Sequence, residues 1–287
     1  MPANGKNSGW KATQSSPGIE FGGFYHGNGT TVLSVMHGDA WRSNRGQVNM
    51  KKMFADLLPD IASFYTSRLK GKPAYDWGYE FLYNPEAACR KETKILLMTI
   101  NPQAGERQVI VDTPCPARHA FWCGTFKIQH QLHSLFQELQ RIVAPSSTDA
   151  VQDFASQHVI ASSAVPFRTH SSGEITPDMW MFSRYLWGRI FQQWEPRLIL
   201  TIGYEAYHFA GAFFGFHYRA LPENPSDAGK TPGNRWMRFE KNGKAQITLA
   251  GFPHFSRYPA FPQTYDHNSP ACAFLREVCA SGLKKQP

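Results

Sequence analysis

Cysteine is scarce in this chain and unpaired in its spacing. The 287 residues hold five, Cys89, Cys115, Cys123, Cys272 and Cys279. The number is odd and no Cys-x-x-Cys occurs, which argues against a disulfide framework or a zinc site. The spacing fits no familiar iron–sulfur pattern either. The five read as buried or free thiols. No apolar run is long enough to span a bilayer, and the N-terminal MPANGKNSGW has no signal-peptide core. The expected location is therefore the cytoplasm. Acidic residues are the minority charge, 22 against 30 Lys plus Arg, a surplus of eight positive charges. Such a surplus favours an anionic partner, nucleic acid foremost. The glycine-rich stretch Phe21–Val35 (FGGFYHGNGTTVLSV) lacks the Lys-Ser/Thr of a phosphate-binding loop. His130 and His133 stand three apart on an amphipathic stretch, but no acidic or cysteine partner is near in sequence, so they read as surface or packing histidines. No metal and no cofactor is expected.

What the chain does have is apolar and aromatic matter, 42% and 14% of residues, enough for a sizeable core. Residues 1–20 are polar and rich in Gly, Ser and Asn, and read as a flexible N-terminus. Phe21–Val35 reads as an irregular hairpin. Met50–Leu69 reads as a helix with Met53, Phe54, Leu57, Leu58, Ile61 and Phe64 on one side and a kink at Pro59. Tyr79–Asn84 is aromatic and strand-like. Gln129–Val143 is an amphipathic helix, and His158–Val165 is a strand stopped by Pro166. Thr176-Pro177-Asp178 starts a helix, with a Thr cap and Pro in the first turn, that runs to about Gln193. Arg197–Ile202 is a buried strand, Gly203 ends it, and Tyr204–Phe214 is helical. Arg235–Glu240 and Ala245–Ala250 form a hairpin about Asn242-Gly243. Ala271–Ser281 is a closing helix.

The stretch that organises the rest is Lys94–Gly105, KILLMTINPQAG. Ile95–Ile100 has the length and composition of a strand buried on both faces, as at the centre of a parallel sheet. Asn101-Pro102 ends it, because proline cannot donate to a ladder. Ligands of open α/β sheets bind at the carboxyl ends of the strands, so Asn101 stands where chemistry would be placed. Two loops draw notice for the same reason. One is the long Pro102–Gly124, with Phe121 and Trp122; the other is Gly251–Pro262 (GFPHFSRYPAFP), with His254. Alternating strands and helices predict an α/β fold, a three-layer sandwich about a mostly parallel central sheet.

Four stretches in this order resemble the uracil-DNA glycosylase superfamily, most closely its single-strand-selective monofunctional branch. Tyr83-Asn84-Pro85 precedes a strand into Ile100-Asn101-Pro102, where the family has a strand running into Gly-x-Asn-Pro-Gly. Ser163–Pro166, Ser172-Gly173 and Thr176-Pro177 stand where that branch carries Asn-x-x-Pro, Ser-Gly and Thr-Pro. Arg197–Gly203 is a strand ending in Gly. His254-Phe255-Ser256 stands where the family has His-Pro-Ser. The likeness covers roughly residues 79–282. Four positions depart from it: Thr99 and Gln103 replace glycines, Ser163 replaces the Asn that reads uracil, and Phe255 replaces proline.

The resemblance implies a fold like that of uracil-DNA glycosylase and cleavage of an N-glycosidic bond, in which the sugar becomes cation-like and the base departs as an anion. Asn101 would orient the attacking water, since a neutral amide holds water without taking its proton. His254 would donate to O2 of the leaving base. Ser256 would bind a phosphate, and Arg257 and Tyr258 would enter the stack as the base flips out. Arg168 is a further DNA contact. Phe121 or Trp122 would stack on the flipped base, a contact worth ~1–3 kcal/mol, with Gln103 beside it. Ser163 offers one donor where an amide offers a matched pair and leaves more volume, so a pyrimidine other than uracil fits; alternatively Ser162 or Arg168 reads uracil in its place.

The domain expectation is a flexible 1–20 and one glycosylase-like domain over 21–287, with an extension at 21–70. The functional expectation is a monomeric, monofunctional glycosylase of DNA that excises a modified pyrimidine. Glucosylated hydroxymethylcytosine of phage DNA is the substrate proposed, which would make this a defence enzyme. The alternatives are a uracil-DNA glycosylase of base-excision repair and an inactive DNA-binding relative.

Overall fold

A computed structural model describes residues 49–83, 88–89, 93–103, 108–111, 128–214, 246–262 and 264–283, and the backbone of 238–242. The expectations for residues 1–20 and 21–35, for Phe121 and Trp122, and for Cys115 and Cys123 lie outside the described residues.

Four apolar runs become strands because each is too short for a stable helix and is stopped by Pro, Gly or a polar residue. They are β2 (Ile95–Thr99), β4 (Val159–Ser163), β5 (Leu198–Ile202) and β7 (Ile247–Phe252). A fifth, β6 (Arg238–Asn242), joins at the edge, giving the order β4-β2-β5-β7-β6. The first four are parallel and β6 is antiparallel to β7. Every residue of β4, β5 and β7 is buried, as expected of parallel strands covered on both sides.

The pleat sends alternate side chains to two separate cores. Leu96, Met98, Ile160, Ile199 and Leu249 face one side, which α5 (Pro177–Gln193) and α6 (Tyr204–Phe213) cover with Trp187, Ile190, Phe209 and Ala210. Ile95, Leu97, Val159, Ala161, Leu200 and Phe252 face the other. There α3 (Gln129–Val143), α4 (Val151–His158) and α7 (Pro270–Gly282) supply Leu135, Leu139, Phe154, Leu275 and Val278. The result is an α/β sandwich, helices on both faces of a mostly parallel sheet. Among the described residues no helix is long and apolar enough to cross a membrane.

The caps follow the sequence. Thr176 Oγ1 accepts from Met179 N at 3.3 Å with Pro177 in the first turn of α5, and Ser269 does the same for α7 ahead of Pro270. The segment 50–69 differs from the single kinked helix expected. It forms α1 (Met50–Ala55), a break at Asp56-Leu57, α2 (Leu58–Phe64) and one wide π turn over Tyr65–Leu69. Pro59 sits in the first turn of α2, where its missing N–H is harmless, so the chain breaks before it and does not bend at it. Met50, Phe54, Leu57, Ile61 and Tyr65 are buried in the first core, so this part of the expected extension belongs to the core.

Three further boundaries moved. The aromatic run after Gly78 holds only the two-residue β1 (Gly78–Tyr79). It pairs with β3 (Val109–Ile110), which lies inside the loop expected at 102–124. From there the chain runs beside β4 through single antiparallel bridges, Tyr79 to Phe167 and Leu82 to Ser162. Gly78 has φ +88, and a Cβ there would meet Val109 O at 1.8 Å, so this close approach requires glycine. His158 ends helix α4, an element absent from the sequence reading, and does not start the strand. Asn242 pairs with Ile247 inside the hairpin, so it is a strand residue and not part of a two-residue turn.

Candidate active site

Because β4, β2, β5 and β7 are parallel neighbours, their carboxyl ends share one edge of the sheet. That edge receives Asn101 after β2, Ala164–Ser172 after β4, Gly203 and Glu205 after β5, and His254 after β7. The strand between those of Asn101 and His254 is β5. Gly203 follows it directly, so no side chain rises from that position. Gly203 has φ +100, and the atoms nearest a Cβ there would be His254 Cδ2 at 3.7 Å and Glu205 Oε2 at 3.9 Å.

Asn101 is half-buried and its amide is fixed. Nδ2 donates to Pro102 O and to Thr169 Oγ1, both at 2.9 Å. Two donor hydrogens are thereby engaged and Oδ1 is left as the acceptor. Thr169 is buried and passes the chain on, its hydroxyl donating to Ser171 O at 2.7 Å. Next along, Ser172 Oγ donates to Glu205 Oε1 at 3.2 Å, and Glu205 reaches the neighbourhood of His254. Polar contacts thus run from Asn101 to Glu205 along the sheet edge, and Glu205 acts on His254 through its charge.

His254 is exposed, and its ring state can be worked out. The Ser256 backbone N–H donates to Nδ1 at 3.4 Å, and Ser256 Oγ lies 2.8 Å from the same nitrogen. A backbone N–H can only donate, so Nδ1 is an acceptor and the neutral ring carries its proton on Nε2. Partial desolvation and the Arg257 charge hold the imidazole below its usual pKa of 6.5, against an opposing pull from Glu205. The loop that carries it is pinned from below. Buried Gln131 on α3 donates to Phe255 O at 2.7 Å and accepts from Ala260 N at 2.7 Å and Phe261 N at 3.3 Å. Phe255, where the motif resemblance expects proline, buries its ring against Phe252 and Phe261, with centroids 6.0 and 5.9 Å apart. It anchors the loop by packing.

Neither a family model nor a curated protein matches the chain.

The remaining expected site residues divide. Gln103 is exposed and bridges to Thr169 beside Asn101. Arg257 and Tyr258 are exposed, and both donate their backbone N–H to His254 O, at 2.9 and 3.0 Å. Ser256 is exposed too, but its hydroxyl is turned toward His254. Ser162 and Ser163 are wholly buried; their hydroxyls bond Phe81 O at 2.6 Å and Glu80 O at 3.3 Å. Arg168 is drawn inward into an ion pair with Glu80 at 3.1 Å. His130 and His133 are exposed, and no three metal-ligating side chains cluster among the described residues. Thr169, Glu205, Gln131 and Glu80 were missed. The only sequence signal for any of them was nearness to a strand end.

Proposed function

We infer that the chain is a monofunctional DNA glycosylase that hydrolyses the N-glycosidic bond of a pyrimidine, and that it belongs with the uracil-DNA glycosylase superfamily its motifs resemble. The observation that carries the reading is the complementary pair on one sheet edge: an amide with its N–H groups engaged and its oxygen available, and a neutral imidazole with its proton on Nε2. In the reaction, Asn101 Oδ1 orients water toward the sugar C1′. As the bond breaks, the base takes the electron pair, and His254 Nε2–H donates to the base O2 where charge builds. Water supplies the hydroxyl at C1′, and its proton leaves to solvent. The fixed amide and the fixed tautomer reduce the reorganisation needed at the moment of cleavage.

The substrate favoured is a modified cytosine with a bulky group at C5, such as the glucosylated hydroxymethylcytosine of phage DNA, since position 163 carries no pyrimidine-reading amide. Cytosine is a poorer leaving group than uracil, so the hydrogen bond from His254 has more to supply. The test offers matched oligonucleotides with uracil, cytosine, hydroxymethylcytosine and its glucosylated form, and reads free base by mass spectrometry and alkali-labile breaks. Release of the glucosylated base supports the reading; release of uracil alone moves it to repair; no release from any leaves a DNA-binding protein. Asn101→Ala and His254→Ala should each lower turnover about 10²–10³-fold with DNA affinity nearly unchanged. With positive charge in surplus, that affinity should fall steeply with salt.

A further inference from the structure

The buried polar matter beside Asn101 does not look like core. Glu80 follows β1, its backbone N–H donating to Pro166 O at 2.9 Å and its carbonyl accepting from Ser163 Oγ. Arg168 follows the end of β4, with its N–H on Gly78 O at 3.1 Å, and immediately precedes Thr169, the residue that holds Asn101. Their side chains retain 16% and 15% of their surface, so both are largely desolvated yet still reached from outside. Tyr83 lies within electrostatic range of both and hydrogen-bonds Ser163 and Thr99. Charged and hydroxyl groups thus gather where β2 and β4 end, under the loop that carries Asn101.

A salt bridge built for stability would match the guanidinium fork to both carboxylate oxygens. This one does not. Among the described residues Arg168 Nη1 meets only Glu80 Oε2, and Arg168 Nε is buried with no partner. Among the described residues Glu80 Oε1 accepts no hydrogen bond. Leaving a buried donor unmatched is unfavourable, and a partly desolvated ion pair is weak support for a fold. The pair leaves a partly desolvated carboxylate oxygen with its acceptor capacity unused. Ser163, the position the sequence motif points to, is sealed beneath it.

We propose that Glu80, positioned by Arg168, reads the base: its carboxylate accepts from the exocyclic amine at C4 of a cytosine-type pyrimidine and repels the carbonyl oxygen that uracil carries there. A carboxylate is an acceptor only. Cytosine presents N4–H₂ as a donor at that edge, whereas a 4-keto pyrimidine presents an acceptor. The two bases meet attraction and repulsion at the same point, and sites built on buried polar groups discriminate strongly for that reason. The proposal rests on the glycosylase reading for the presence of a flipped base, and assigns that base its amino class.

The test measures binding apart from cleavage. Oligonucleotides carry one 2′-fluoro nucleotide, either 5-hydroxymethylcytosine or 5-hydroxymethyluracil. The two match at C5 and differ at C4 and in the N3 proton that accompanies the keto form, and the fluorine, by withdrawing electrons from the cation-like sugar, blocks release. Affinities of the full chain are read by fluorescence anisotropy. The wild type should prefer the amino base by about tenfold or more. Glu80→Gln, whose amide presents either N–H or oxygen, should bring the two affinities together without weakening binding to the keto base. Equal wild-type affinities overturn the proposal, and that measurement needs no variant to fold. A Glu80→Gln protein that keeps the wild-type ratio also overturns it. A clear preference with no base released from cleavable substrates supports the role of Glu80 while removing the glycosylase reading; release without preference does the reverse.

Discussion

Gln131→Leu is the sharpest test of how the His254 loop is held. The side chain is 1% exposed and ties α3 to a loop 124–130 residues away through three bonds to backbone atoms. Leucine fills a similar volume, so the change is mainly polar. It leaves Phe255 O and Phe261 N without partners in buried surroundings, each worth about 1–3 kcal/mol as an unsatisfied group. Ala260 N is partly reached by water and adds less. The expected loss is therefore about 2–6 kcal/mol in urea unfolding, with the slope unchanged. Gln137→Leu on the same helix, at a half-buried position, should stay within about 0.5 kcal/mol. Hydrogen exchange localises the effect: the Ala260 and Phe261 amides should lose protection under native conditions. A loss below about 1 kcal/mol with protection intact at both amides would show that packing of Phe255 and Phe261, not Gln131, fixes the loop.

Three further outcomes are expected. Thr169→Val removes one of the two acceptors of Asn101 Nδ2 and leaves Pro102 O; turnover should fall about tenfold or more while KM holds, and a matched rise in KM with unchanged kcat would contradict a role in orienting the amide. His254 has its folded pKa below the ordinary 6.5, so the neutral ring should persist as pH drops past 6.5 and activity should be lost as pH falls through the lower folded value, while this residue's contribution to stability, complete above 6.5, is lost progressively between 6.5 and that lower value as the unfolded chain takes up its proton first. Removing the Arg257 charge should shift that limb of the pH–rate profile to higher pH and removing the Glu205 charge to lower pH; shifts of the same sign would be inconsistent with the site's electrostatics. Gly203→Ala, at φ +100, should lower stability by about 1–3 kcal/mol through backbone strain, read as a reduced urea midpoint.

The sequence alone determined the layered architecture and the strand-end placement of Asn101 and His254, the two ends of the candidate site. Apolar runs of strand length at 95, 159 and 198 could only be satisfied by burial, and Pro102, Pro166 and Gly203 mark where they stop; the run at 247, expected as one arm of a hairpin, joins them as a fourth parallel strand. Thr176-Pro177 and Ser269-Pro270 fixed two helix starts through bonds three residues long. These are local effects, and local chemistry is legible in order along the chain. Asn101 and His254 were legible for the same reason, each lying just beyond a strand.

Tertiary structure decided what depends on which strand ends adjoin. Arg168 reads as a DNA contact in sequence, yet it pairs with Glu80, 88 residues away, because the 79–83 run lies against β4. Ser163 reads as a base-facing residue, yet that same neighbour seals it. Ser256 turns its hydroxyl onto His254 only because the loop curls into a turn. Gln131 reads as one more polar residue on an amphipathic helix until α3 is seen packed beneath the loop. In each case the deciding partner is remote in sequence, and the energy that selects it, desolvation answered by one particular hydrogen bond, exists only once the sheet order has brought the two together.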